Sequence, residues 1–173
     1  MKKSIKGIIA LALVIVSVFS ICSTAFAEYY ANARSLKLRD KASTSGKILY
    51  YFEKGETLTY VGTSGDWYKV KNKNGTTGYA KKSLVTTTAY TPSKWDSYYG
   101  AYDYGKTNLK IAKFTKVQTD LNKNGVANPK LTVDGICGDK SVKAIKAFQG
   151  KYSLTQDGIA GNGTLKKLYK LYH

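Results

Sequence analysis

The sequence predicts two small domains in tandem, an N-terminal all-β barrel and a C-terminal all-α bundle of three helices. Two contrasting patterns predict this. Residues 28–88 hold short alternating segments broken by glycine turns, whereas residues 108–173 repeat apolar residues at helical spacing. A third stretch, 89–107, joins them and is dense in tyrosine. A chain of 173 residues with 43% hydrophobic residues is long enough for two such units and too apolar for wholesale disorder.

Residues 1–27 read as a signal peptide. Lys2, Lys3 and Lys6 make a basic start, Ile8 to Ile21 an apolar stretch, and Ala25-Phe26-Ala27 a small-x-small cleavage signal before Glu28. The apolar stretch is shorter than the ~20 residues a spanning helix needs, so no membrane attachment is expected after cleavage. Ile21 before Cys22 is not the small residue that lipidation requires. Cleavage would leave Cys137 as the one cysteine, so no internal disulfide can form and an exported bacterial protein is expected.

The net charge is +17, of which +14 would remain after cleavage. Arg34 and Arg39 are the only arginines among 28 basic residues. Base readers favour the planar fork of arginine, so a lysine-dominated exported chain is not expected to bind nucleic acid. Lysine suits diffuse attraction to anionic polymers, and those outside a bacterial cell are peptidoglycan and other wall polymers.

In the N-terminal half, Ser35–Arg39, Thr57–Val61 and Trp67–Lys71 alternate, Lys47–Phe52 is a short apolar run, and Gly78-Tyr79-Ala80 closes the series. Ser45-Gly46, Lys54-Gly55, Ser64-Gly65-Asp66 and Asn74-Gly75 are turn signals, and Asn72–Gly75 is a good hairpin turn. Three pieces, ARSLKLRDKASTSGKIL (33–49), KGETLTYVG (54–62) and GDWYKVKNKNGTTGYAKKSLV (65–85), resemble the bacterial Src-homology-3 domain of exported wall proteins. Lys37-Leu38 and Lys41-Ala42 depart from its usual Asn-Val and Gly-Pro. The resemblance implies a Src-homology-3-like barrel that binds peptidoglycan stem peptides or cross-bridges without catalysis.

In the C-terminal half, Leu109, Phe114, Val117 and Leu121 fit one helix face, with Asn124-Gly125 as a stop. Val142, Ala144, Ile145 and Phe148 mark a second helix, and Leu165, Leu168, Tyr169 and Tyr172 a third. An internal repeat precedes the last two: Asp134-Gly135-Ile136-Cys137-Gly138-Asp139-Lys140-Ser141 recurs as Asp157-Gly158-Ile159-Ala160-Gly161-Asn162-Gly163-Thr164. The aspartates are expected to hold the turns, the glycines to supply positive φ, and Ile136 and Ile159 to plug the core. Ser141 and Thr164 are expected to serve the first helical turns as acceptors. Neither copy has the alternating carboxylates and distal glutamate of a calcium loop, so no metal is expected.

The run from Val117-Gln118 through Leu121-Asn122, Val133-Asp134-Gly135, Gly138, Phe148-Gln149, Asp157-Gly158 and Gly161 to Thr164 resembles the three-helix peptidoglycan-binding domain found beside wall hydrolases. Cys137 stands where that family usually has Phe, and is read as a small buried apolar residue. The resemblance implies a groove near the repeat turns and the pair Phe148 and Gln149.

Thr86 to Thr107 reads as a linker, yet Tyr90, Trp95, Tyr98, Tyr99, Tyr102 and Tyr104 are more aromatics than a flexible tether needs. They either pack on a neighbouring domain or stack against sugar rings. Candidate ligand contacts in the barrel half are Tyr30, Arg39, Tyr50, Tyr51, Trp67, Tyr68 and Tyr79; in the helical half they are Phe148 and Gln149. Lysines 81, 82, 143, 146, 166 and 167 read as a solvated basic surface. The only histidine is the terminal His173, and both halves are occupied by small binding folds. A non-enzymatic monomer without cofactors is therefore expected, binding peptidoglycan through both modules. The alternative is a targeting or regulatory partner of a cell-wall hydrolase.

Overall fold

The computed structural model describes residues 28–173; the expected signal peptide lies outside the described residues. Seven strands come first: β1 (Tyr29–Ala31), β2 (Leu36–Arg39), β3 (Ile48–Phe52), β4 (Thr57–Ser64), β5 (Trp67–Lys71), β6 (Thr77–Lys81) and β7 (Val85–Thr86). They form one antiparallel sheet in the order β3-β2-β6-β5-β4-β1-β7. Ala31, Leu36, Leu38, Phe52, Leu58, Val70 and Ala80 come from six strands yet form one buried cluster, so the sheet wraps around its own core. The alternation of β2 is realised directly, with Leu36 and Leu38 buried and Lys37 exposed between them.

Two glycines shape the sheet. Gly75 takes φ +81° in the β5–β6 hairpin, where Asn72 Oδ1 accepts from the amides of Asn74 (3.1 Å) and Thr76 (2.8 Å). Gly78 lets β6 close on β2, because a Cβ there would lie 2.5 Å from the Arg39 carbonyl oxygen. A register shift between Tyr60 and Gly62 interrupts the alternation of β4 and leaves Tyr60 and Val61 on the surface.

Four helices follow: α1 (Lys94–Tyr99), α2 (Phe114–Asn124), α3 (Asp139–Lys151) and α4 (Asn162–Tyr172). Phe114, Val117 and Leu121 of α2, Ala144, Ile145 and Phe148 of α3, and Leu165 and Leu168 of α4 share a second core. Gly125 ends α2 at φ +77°, the left-handed stop that Asn124-Gly125 signals. Leu109 is not on α2; it lies half-buried in the preceding loop, whose backbone is tied to the first repeat turn.

The tyrosine-rich stretch is ordered and packed. Ser93 caps α1 by accepting from the Asp96 amide at 3.2 Å. Tyr99, Tyr102 and Tyr104 are buried in the helical core, with Trp95 and Tyr98 packed against it. Tyr99 meets Tyr98 edge-on at 4.8 Å, and Tyr104 makes tilted contacts with Phe114 at 4.9 Å and Tyr102 at 5.3 Å. Of the two uses considered for these aromatics, packing on the neighbouring domain is the one these rings adopt.

Candidate binding site

The repeat turns come first, because they position the rest. In each, an aspartate closes the loop on itself: Asp134 Oδ1 accepts from the Ile136 amide, and Asp157 Oδ1 from the Ile159 amide, both at 2.8 Å. A glutamine from the preceding helix then plugs the turn. Gln118 accepts from the Gly135 amide at 2.8 Å and donates to Asp134 (2.9 Å) and the Ile136 carbonyl (3.2 Å). Gln149 accepts from the Gly158 amide at 2.9 Å and donates to Asp157 (2.8 Å) and the Ile159 carbonyl (3.0 Å). Hydrogen bonding to Gln118, then to the Ile136 amide, holds the Asp134 carboxyl below its ordinary range.

This geometry corrects four expectations. Gln149 is 2% exposed and its amide is consumed by the turn, so it presents nothing to a ligand. Phe148 is fully buried in the helical core. Ile159 is 41% exposed; the core is plugged one residue later in each copy, by Cys137 and Ala160. Ser141 and Thr164 do not cap their helices, whose N-caps Gly138 and Gly161 make no side-chain cap bond. Thr164 instead accepts from Gln149 at 3.2 Å, and Ser141 faces the Ile136 carbonyl at 3.4 Å.

Cys137 is buried, and burial pushes its thiol up to about 12. His173 sits 3.1 Å from Asp120, which also accepts from the Tyr99 hydroxyl at 2.8 Å. Each of these groups is thus engaged in packing or a buried polar cluster.

The turns fasten the chain segment that follows the tyrosines. The amides of Thr107 and Ile111 donate to the carbonyls of Cys137 and Gly135, both at 2.9 Å. Tyr104 pairs with Ala160 as an antiparallel bridge at the second turn. Lys110 lays its stem over Gly135. Residues 104–111 are thereby held as a fixed strip facing the barrel.

The barrel docks beside this strip, on residues 96–103 and Lys113, largely through charge. Arg34 pairs with Asp96 (2.7 Å) and Asp103 (3.0 Å) and donates to the Tyr102 carbonyl. Burial would raise the Asp96 carboxyl, but hydrogen bonds from Tyr90, Ser93 and Arg34 outweigh it and hold it below its ordinary value. Burial raises Asp103 despite Arg34. Glu53 pairs with Lys113 at 2.9 Å and accepts from the Ala101 amide at 2.9 Å, while the Lys54 amide donates to the Ala101 carbonyl. Tyr51 completes the joint by packing on the helical core.

Two depressions of about 320 and 330 Å³ open beside this joint and share Tyr51 and Ile111 as walls. Lys37, Arg34, Asp103 and Lys106 line the first, and Tyr50, Tyr102, Lys110 and Lys113 the second. Each lies at the small end of the ~300–1,000 Å³ range of ligand pockets. A smaller hollow of about 220 Å³ lies at the first repeat turn, lined by Gln118, Leu131, Asp134, Ile136 and Asp139 among others. At this turn the implied groove has a counterpart.

The candidate barrel residues do not converge on one spot. Tyr50 and Tyr51 line the groove between the two units. Burial and a 2.8 Å hydrogen bond to Glu56 push the Tyr50 hydroxyl well above its ordinary value. Arg39, Tyr79 and Lys69 are cross-strand neighbours over β2, β6 and β5, and Trp67 is two residues along β5 on the same face. Arg39 also donates to the Gly46 carbonyl at 2.6 Å, so it braces the β2–β3 loop. Tyr68 belongs to a cluster with Tyr29 and Tyr60, with centroids 5.4–5.6 Å apart and Lys82 over its ring. Tyr30 lies on β1 and donates to Glu28.

Of the six lysines read as a solvated surface, Lys81, Lys143, Lys146 and Lys166 are exposed, whereas Lys82 and Lys167 are half-buried against tyrosine rings. Arg34, Asp96 and Asp103 were missed as positioning residues. The available signal was the scarcity of arginine and the placing of two aspartates inside the tyrosine stretch. Among the described residues, no group of three or more His, Cys, Asp or Glu could hold a metal ion, and no helix is long and apolar enough to cross a membrane.

Comparison with known proteins agrees with this architecture. Residues 34–86 match the family described as "Bacterial SH3 domain", and residues 112–168 match "Putative peptidoglycan binding domain". A 50-residue stretch is 42% identical to "Putative N-acetylmuramoyl-L-alanine amidase YrvJ" of Bacillus subtilis (strain 168). That match covers 29% of this chain and only 10% of the relative's length. The wrapped sheet and the helices behind it are, in order, a bacterial SH3 domain followed by a peptidoglycan-binding domain.

Proposed function

We propose that this protein is a secreted, non-catalytic binder of cell-wall peptidoglycan that uses both modules as one body. The observation that carries the reading is the pairing of two wall-binding families in one chain. Half-buried aromatic and basic residues of the barrel supply contacts: Tyr50 and Tyr51 in the groove, and Trp67 and Tyr79 beside Arg39 on the outer sheet face. The excess of lysine adds long-range attraction to an anionic polymer. On this reading the protein acts as a monomer at the wall, without a cofactor.

Pelleting with purified insoluble peptidoglycan tests it. The protein is expected in the pellet at low salt, and part of it should remain there at ~0.5 M salt, where the Debye length falls well below 10 Å. Protein left in the supernatant at low salt refutes wall binding. Complete release at high salt reduces the interaction to charge alone.

The stretch shared with the amidase favours a second reading, in which the protein targets or regulates a wall hydrolase. That reading requires a hydrolase to be captured from the secreted fraction and its activity on walls to change when this protein is added.

A further inference from the structure

We infer that the cleft between the two units is one composite site for a short acidic peptide. Lys37 and Lys110 would take its carboxylates, and Tyr51 and Ile111 its aliphatic side chains. The inference rests on the wall-binding reading and names the part of the polymer that the cleft receives.

Neither half of the cleft exists without the other. Lys37 and Tyr51 are a cross-strand pair on β2 and β3, whereas Lys110 and Ile111 belong to the strip fastened to the first repeat turn. The joint charges beside them are already matched: Arg34 with Asp96 and Asp103, Lys113 with Glu53. Lys106 pairs with Asp139 at 2.6 Å. Lys37 and Lys110 form no ion pair among the described residues, although Lys110 lies near enough to Asp134 to favour its carboxylate, so two exposed cations flank a half-apolar floor.

That pattern selects among anions. A polyphosphate chain carries a charge on every unit and favours a dense row of cations. Here the free cations are sparse, the floor is Tyr51 and Ile111, and Glu53 and Asp103 lie in the same walls. Sparse cations, an apolar floor and nearby carboxylates complement a peptide with isolated carboxylates, small aliphatic side chains and backbone amides. A peptidoglycan stem peptide has this chemistry.

The test uses a soluble disaccharide-tetrapeptide muropeptide, titrated by calorimetry and followed by amide chemical shifts. Lys37→Gln and Lys110→Gln are each expected to weaken binding about threefold, the scale of a solvent-exposed ion pair. Lys143→Gln, an exposed control on α3, is expected to leave affinity unchanged. Shifts should fall on both sides of the cleft, at residues 34–53 and 102–113. Equal losses for all three variants, or shifts confined to one unit, overturn the inference. So does a glycerol-phosphate oligomer that occupies the cleft while the muropeptide does not. If the double variant K37Q/K110Q pellets with insoluble peptidoglycan as the parent does and binds muropeptide equally well, the composite site fails while wall binding stands. If the parent itself does not pellet, the underlying reading fails.

Discussion

Gln118 and Gln149 perform the same task one repeat apart, each satisfying a glycine amide that would otherwise be buried without a partner. Replacing either with Ala is expected to cost about 1–3 kcal/mol, the penalty of leaving such groups unpaired, read as a lower urea midpoint. Loss of peptidoglycan binding with an unchanged midpoint would instead make Gln149 a ligand contact. Cys137 should resist thiol reagents in the folded protein and react only on unfolding, because burial holds its thiol at about 12; rapid native labelling would contradict this. The turn-holding aspartates and the buried cysteine were legible in the sequence, since their partners or neighbours lie within a few residues. Gln149 was not. A polar residue on an apolar helix face looks the same whether its partner is a ligand or a loop eight residues further on.

The repeat turns behave as paired clasps on the scale of whole elements. Gly135 and Gly158 take φ +81° and +75°, and a Cβ at either would come within 3.0 Å of the Ile111 carbonyl oxygen or 2.8 Å of Val142. Gly135→Ala and Gly158→Ala should each lower stability by more than about 1 kcal/mol, seen as a lower Tm. Gly163→Ala, with open space around it, should be nearly neutral. Strand alternation and the Asn124-Gly125 stop could be read directly, because each depends on local backbone chemistry. The exchange of Ile159 for Ala160 at the core could not, because the left-handed glycine changes which side chain the turn carries inward. The start of α2 was equally hidden: Leu109 keeps helical spacing, but its neighbours Thr107 and Ile111 bond to the first turn instead.

Across the whole molecule, the joint made by Arg34, Asp96 and Asp103 turns two modules into one body. Arg34→Ala should cost about 2 kcal/mol or more, the usual effect of truncating one partner of a buried, hydrogen-bonded charge pair. It should also split a single calorimetric transition into two. Persistence of one transition at an unchanged Tm would show that the joint carries no stability. Acid should act the same way. Asp96 is held below its ordinary carboxyl value, so its contribution is present above about pH 4 and is lost as pH falls through its folded value. Asp103 is raised by burial and has the opposite sign, so it offsets part of the loss. Asp96→Asn should therefore remove the acid-sensitive component of coupling measured by calorimetry from pH 6 to 3. The two folds were legible because each has its own local grammar. The joint was not, because its partners are more than 60 residues apart and nothing in their spacing announces contact. A fixed joint also alters the arithmetic of tandem binding. A flexible tether grants each module its own search, whereas a rigid pair gains only where the polymer offers both contacts at the spacing of the body. The buried tyrosines add a practical consequence for anyone who divides the protein. A fragment cut at residue 108 would discard Tyr99, Tyr102 and Tyr104 and unseal the bridge at Ala160. Its failure to bind would then report a core laid open, not the address of the ligand.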